Sequence, residues 1–128
     1  MRLALLARYL DGDLWEERLC AAFPEEALPV DEYNALSALS GRAAAYDAAV
    51  VALDGPDGLT AVRALREQAP RQPILWIADE ADYAVFAFRY RVTAFLLHDA
   101  PAAALRCALQ ELLHESGRET HEHCLLRH

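Results

Sequence analysis

At 128 residues the chain is the size of one domain, long enough to bury a core without disulfide or metal staples. Twelve basic against twenty acidic residues leave a formal net charge of −8, which argues against a nucleic-acid surface, because that affinity comes from clustered Lys and Arg. No run approaches the roughly 20 apolar residues that span a bilayer, and the apolar N-terminus lacks a small-residue cleavage site, so a soluble cytoplasmic protein is expected.

Taken in chain order, "RLALLA" (2–7) is an apolar run of the kind found in strands buried on both faces. "DGDLWEERLCAAF" (11–23) follows as a helix with Asp11 or Asp13 as its cap and Leu14, Trp15, Leu19, Ala22 and Phe23 on one stripe. "EALPV" (26–30) reads as a weak strand, with Pro29 suited to an edge, and "DEYNALSALS" (31–40) as a short helix stopped by Gly41. "DAAVVAL" (47–53) is a second strong strand, and "GLTAVRALREQ" (58–68) is a third helix.

"PILWIA" (73–78) and "TAFLL" (93–97) are the last two strands, separated by a helix over "ADYAVFAFRY" (81–90). "PAAALRCALQELLHE" (101–115) is the closing helix, with proline in its first turn and Leu105, Leu109, Leu112 and Leu113 facing inward. Residues 116–128 are polar and unpatterned, a tail or the start of a linker to an output domain. Of three cysteines, Cys20 and Cys107 fall on apolar helical faces and are expected as reduced core thiols. Strands alternating with helices through short loops predict an α/β domain over residues 1–115, a three-layer, doubly wound, five-stranded parallel sheet.

Two segments carry a family resemblance. "YDAAVVALDGPDGL" and "ADYAVFAFRYRVTAFLLH" resemble the third strand and the fourth helix with fifth strand of two-component receiver domains, in the subclass that precedes LytTR-type DNA-binding domains. The resemblance implies strand order 2-1-3-4-5 and fixes a register. In that family a Tyr-Asp pair commonly precedes the phosphoacceptor aspartate, and a proline follows it. Tyr46 and Asp47 on one side and Pro56 on the other both place the phosphoacceptor at Ala52, leaving Asp54 displaced toward the loop.

The resemblance also locates the remaining chemical positions. The acidic pair that holds magnesium falls on Ala7 and Arg8, the Thr/Ser on Ala78, and the Lys on His98, with Asp99 in place of the following proline. Every position needed for aspartyl phosphorylation has departed while the apolar frame remains. The implied protein is a pseudo-receiver with no catalytic residue, no cofactor and no resident metal.

Arg8, Asp54, Asp79, His98 and Asp99 are expected near the crevice at the carboxyl ends of the strands. They form either a small-anion or pH-sensitive site centred on Arg8 and His98, or a structural plug in which Arg8 pairs with Asp54 or Asp79; the plug is favoured. The resemblance assigns Phe95 as the switch aromatic. It also points to the fourth helix, fifth strand and fifth helix as a dimer or partner face, where Tyr83, Phe86, Tyr90 and Arg91 form a partly exposed patch. His114, His121, His123, Cys124 and His128 collect near the C-terminus without a recognised metal spacing.

The leading functional expectation is a phosphorylation-independent signalling domain that acts through protein contacts and does not itself bind DNA, the regulatory half of a transcription factor being one form of it. A small-anion or proton sensor at Arg8, Asp54 and His98 is the second, and a phosphoreceiver using the displaced Asp54 the third. An enzyme is the least expected, because no nucleophile–base pair, glycine-rich phosphate loop or metal triad stands in a strand-to-helix turn.

Overall fold

A computed structural model describes the backbone of residues 1–125 and the side-chain surroundings of residues 1–116. Five parallel strands form one sheet: β1 (Leu3–Ala7), β2 (Val30–Tyr33), β3 (Ala48–Ala52), β4 (Ile74–Ala78) and β5 (Ala94–Leu97), in the order β2-β1-β3-β4-β5. The helices are α1 (Gly12–Ala22), α2 (Leu36–Leu39), α3 (Gly55–Gln68), α4 (Ala84–Arg89) and α5 (Ala102–Leu125). The expected doubly wound architecture and strand order are therefore present.

Side-chain alternation along the strands divides the core in two. Leu3, Leu5, Val50, Leu75 and Ile77 face one way and pack with Trp15 and Leu19 of α1 and Leu105, Leu109 and Leu112 of α5. Leu6, Val51, Ile74 and Trp76 face the other way, against Leu39, Val62, Leu65 and Ala87 of α2, α3 and α4. The three central strands are buried along their whole length, which is why their sequences are unbroken apolar runs.

The edge departs from expectation. β2 is Val30–Tyr33 rather than residues 26–30, with Val30 beside Leu3 and the Pro29 carbonyl accepting from the Leu3 amide at 2.9 Å. Its charged residues are accommodated because this strand is only partly buried: Asp31 accepts from Arg2 at 2.8 Å and from the Tyr46 hydroxyl at 2.7 Å. Since the strand takes residues 30–33, the expected helix over 31–40 shrinks to Leu36–Leu39, and Gly41 follows it at φ 80.

Three helices also differ at their ends. α3 begins at Gly55, not at residue 58, and the expected helix over 81–90 opens with a 3-10 turn at Ala81–Tyr83 before α4. α5 continues to Leu125 instead of stopping at residue 115, so the segment expected as an unpatterned tail is helical in backbone. The side chains of His121, His123 and Cys124, and all of His128, lie outside the described residues.

Three residue assignments on α1 and α5 are corrected. Cys20 and Cys107 are exposed, because Trp15, Leu19 and Ala22, and likewise Leu105, Leu109 and Leu112, set buried faces that leave the thiols turned outward. Leu14, expected on the inner stripe, is also exposed.

Candidate functional site

β1, β3 and β4 each end in a buried alanine at the carboxyl edge of the sheet, Ala7 and Ala52 facing α1 and α5 and Ala78 facing the opposite side. Ala7 and Ala52 are directly paired across the β1–β3 ladder, Ala78 ends β4, and all three are buried. Leu97, paired with Ala78, ends β5 and delivers His98 to the same edge. The positions singled out in the sequence thus stand together at the strand ends, where an open parallel sheet places its ligand crevice.

At that edge the polar groups are joined in an unexpected way. The His98 Nε2 atom lies 2.6 Å from Asp54 Oδ1, a close pair without an aligned hydrogen bond. The His98 ring stands edge-on to Trp15, with centroids 5.8 Å apart. Arg18 fixes the loop behind it, donating to the His98 carbonyl at 2.9 Å and the Ala100 carbonyl at 3.0 Å while its guanidinium stacks on Trp15. Trp15 and Arg18 were missed as site residues by sequence reasoning. Their signal was present, since i, i+3 spacing on α1 puts an aromatic ring and a guanidinium side by side.

Asp54 is the N-cap of α3, yet its side chain makes no cap hydrogen bond. Gly55 follows at φ 57, a left-handed conformation that glycine adopts without a Cβ penalty. Its amide donates to Asp79 Oδ1 at 2.9 Å, tying the β3–α3 loop to the end of β4. Asp99 is exposed.

The expected plug through Arg8 is not formed. Asp54 is beside His98, Asp79 accepts from Gly55, and Arg8 is exposed without an ion-pair partner among the described residues. Arg8 instead lines a cleft of about 460 Å³ on the β2 side, with Tyr9, Leu10, Asp13, Glu32 and Asn34. Arg8 therefore turns away because the β1–α1 turn aims it toward β2, and the five-residue polar pocket separates into an Asp54–His98 pair and an Arg8 cleft.

That cleft holds a feature the sequence reading missed. Asp13, Glu16 and Glu32 bring carboxylate oxygens within 4.8 Å of one another. Hydrogen bonding to Glu16, then burial, then Asp13 push the Glu32 carboxyl up to about 7. Glu32 Oε1 occupies the space that a Cβ on Gly12 would need. Among the described residues no such carboxylate group forms around Asp54 or Asp79. A magnesium ion bound in the manner of a phosphoreceiver needs several oxygen ligands at the strand ends, and Ala7 and Ala52 supply none, so the residues present do not fit it.

Phe95 is half-buried and stands at right angles to Trp76, with centroids 5.4 Å apart, joining Tyr83 in one aromatic cluster. Tyr83, Phe86 and Tyr90 are partly exposed, as expected of them, and their buried sides pack against the core. The apolar side chains that α4 presents to water are Val85 and Phe88, at 68% and 88% exposure. The helix is shorter than expected, and Arg91 is exposed at φ 53.

No family model matches the chain, and no curated protein matches it in sequence. Solved structures do match in fold. NtrX from Brucella abortus, solved with ADP, is 19% identical with a TM-score of 0.73, covering 97% of this chain and 28% of its own. The response regulatory domain of protein mrkE from Klebsiella pneumoniae is 15% identical with a TM-score of 0.71, covering 92% of this chain and 99% of its own. A sensor protein from Polaromonas sp. JS666 is 19% identical with a TM-score of 0.71, covering 90% and 97%. The chain shares the fold of response-regulator receiver domains, and it spans little more than a quarter of NtrX. Among the described residues, no helix is long and apolar enough to cross a membrane.

Proposed function

We propose that this chain is a pseudo-receiver, a cytoplasmic signalling domain that keeps the receiver frame and acts through protein contacts without a phosphorylation cycle. The observation that carries the reading is that all three strand ends are alanine, with Ala7, Ala52 and Ala78 buried where a metal ligand, a nucleophile and a phosphoryl donor would stand. Aspartyl phosphorylation draws its rate from positioned charge and metal, and these alanines offer neither. The displaced Asp54 is a poor substitute, since its carboxylate is set against His98.

The role is regulatory rather than enzymatic. If the chain forms part of a transcription regulator, DNA contact belongs to another domain, because the net charge of −8 repels phosphate. The α4–β5–α5 face is the proposed surface for dimerisation, supported by the exposure of Val85 and Phe88.

The test is an amide NMR titration with millimolar magnesium followed by beryllofluoride. The reading expects resonances of Arg8 and of residues 52–58 to stay in place. A saturable shift that Asp54→Ala abolishes would instead identify a working switch with a displaced aspartate.

A further inference from the structure

The β1–α1 connection breaks a local rule. The Asp11 amide donates to the Arg8 carbonyl at 2.8 Å, closing a tight turn with Tyr9 and Leu10 at its corners. Turn corners ordinarily take Gly, Pro, Asn, Asp or Ser. Here two large apolar side chains stand 79% and 82% exposed, and Leu14, one helical turn further on, is 53% exposed. The turn is held by its own backbone: the Gly12 amide also reaches the Arg8 carbonyl, and the Trp15 amide reaches that of Asp11. The apolar groups are therefore displayed from a fixed frame, and a local conflict of this kind is expected at functional sites.

Tyr9 and Leu10 also form one wall of the 460 Å³ cleft, whose other wall carries Glu32 and Asn34. The carboxylates of Asp13, Glu16 and Glu32 crowd there closely enough for Glu32 to be held partly protonated, and Arg8 is the guanidinium lining the same cleft. An apolar ridge beside an acidic cleft selects its occupant by charge. Nucleic acid and anionic lipid are repelled. A second copy meeting the same surface across a two-fold axis would set one acidic cleft against another. A peptide segment with an apolar face flanked by Lys or Arg satisfies both halves.

We propose that the Tyr9–Leu10–Leu14 ridge and the adjoining acidic cleft form a docking site for a basic, amphipathic segment of a partner protein. This deepens the protein-contact role proposed above and rests on it. The site is separate from the α4 surface and from the Asp54–His98 pair.

The experiment uses the full chain and a leucine–lysine amphipathic peptide, followed by amide NMR, with a leucine–glutamate and a serine–lysine peptide as controls. Saturable shifts at Tyr9, Leu10, Gly12, Leu14 and Glu32 are expected with the first peptide, weakening as salt is added. Leu10→Ser and Leu14→Ser each weaken binding about tenfold or more, as loss of one buried leucine does. Equal binding of a control peptide, shifts centred on Val85 and Phe88, or binding unchanged in both serine variants overturns the proposal. Running magnesium and beryllofluoride on the same sample separates the two readings: a response there defeats the phosphorylation-independent role while leaving the docking result to stand or fall alone.

Discussion

His98 and Asp54 meet across the carboxyl ends of the sheet with 2.6 Å between Nε2 and Oδ1, and this pair replaces the expected ion pair of Arg8. Both side chains are about two-fifths exposed, so water screens them and the pair is worth less than about 1 kcal/mol. A double-mutant cycle with Asp54→Asn and His98→Gln in urea denaturation is expected to give a coupling below that value. Asp54→Asn alone should change stability by no more than about 0.5 kcal/mol, since the Asp54 side chain makes no cap hydrogen bond that could be lost and its pairing with His98 is screened by water. A coupling of several kcal/mol would mean that the pair is a buried tie.

Arg66 has a larger structural role than any residue of the cleft. Half-buried at the end of α3, it donates to the carbonyls of Ala69, Pro70, Gln72, Tyr90 and Arg91. These bonds hold the approach to β4 and the α4–β5 turn, where Arg91 sits at positive φ. Arg66→Ala is expected to cost about 2 kcal/mol or more by stranding those carbonyls. It should also speed amide exchange over residues 89–93. Arg66→Lys should recover little, because an ammonium cannot reproduce the planar fork. Full rescue by lysine would show that charge alone suffices.

Gly58 packs α3 against the sheet. A Cβ there would meet the Leu53 carbonyl oxygen at 2.4 Å and Trp76 Nε1 at 3.0 Å, and both neighbours belong to the core side of the helix. Gly58→Ala is expected to destabilise the chain by about 1–3 kcal/mol through overpacking. Because Trp76 is fully buried with its indole nitrogen unpartnered, its fluorescence should report the displacement. An unchanged urea midpoint and emission maximum would show that the helix can slide without cost.

The parts legible in the sequence are those where one physical demand dominates. β1, β3 and β4 are covered on both faces, so burial wrote them as continuous apolar runs, and the alanines at their ends could be placed by counting. β2 obeys two demands, since Asp31 must reach Arg2 and Tyr46 while Val30 pairs with Leu3, and its "VDEY" carries no strand pattern. Arg8 was placed in the right turn but not in the right direction, because a turn's geometry aims its side chains and residue spacing does not encode it. Glu32 could not be connected with Asp13 and Glu16 until the register of β2 against β1 was known.

Glu32 gives the chain an inverted pH response. Unfolded, its carboxyl titrates near the ordinary 4.5; folded, the hydrogen bond to Glu16 and partial burial raise it to about 7. Between those values the folded chain holds a proton that the unfolded chain has released, so stability falls as pH rises through that window. Asp31 acts in the opposite sense. The Tyr46 hydroxyl and then Arg2 hold it below its ordinary 3.8, and the stability it adds is lost only as pH drops further. The optimum is thereby displaced to the acid side of neutrality. Urea midpoints at pH 5, 6, 7 and 8 are expected to decline shallowly, since Glu32 is mostly in water. Glu32→Gln should flatten that decline and be the more stable form at pH 8, because it keeps a donor for Glu16 and removes a charge from the cluster. Parallel slopes in the two proteins would locate the proton elsewhere.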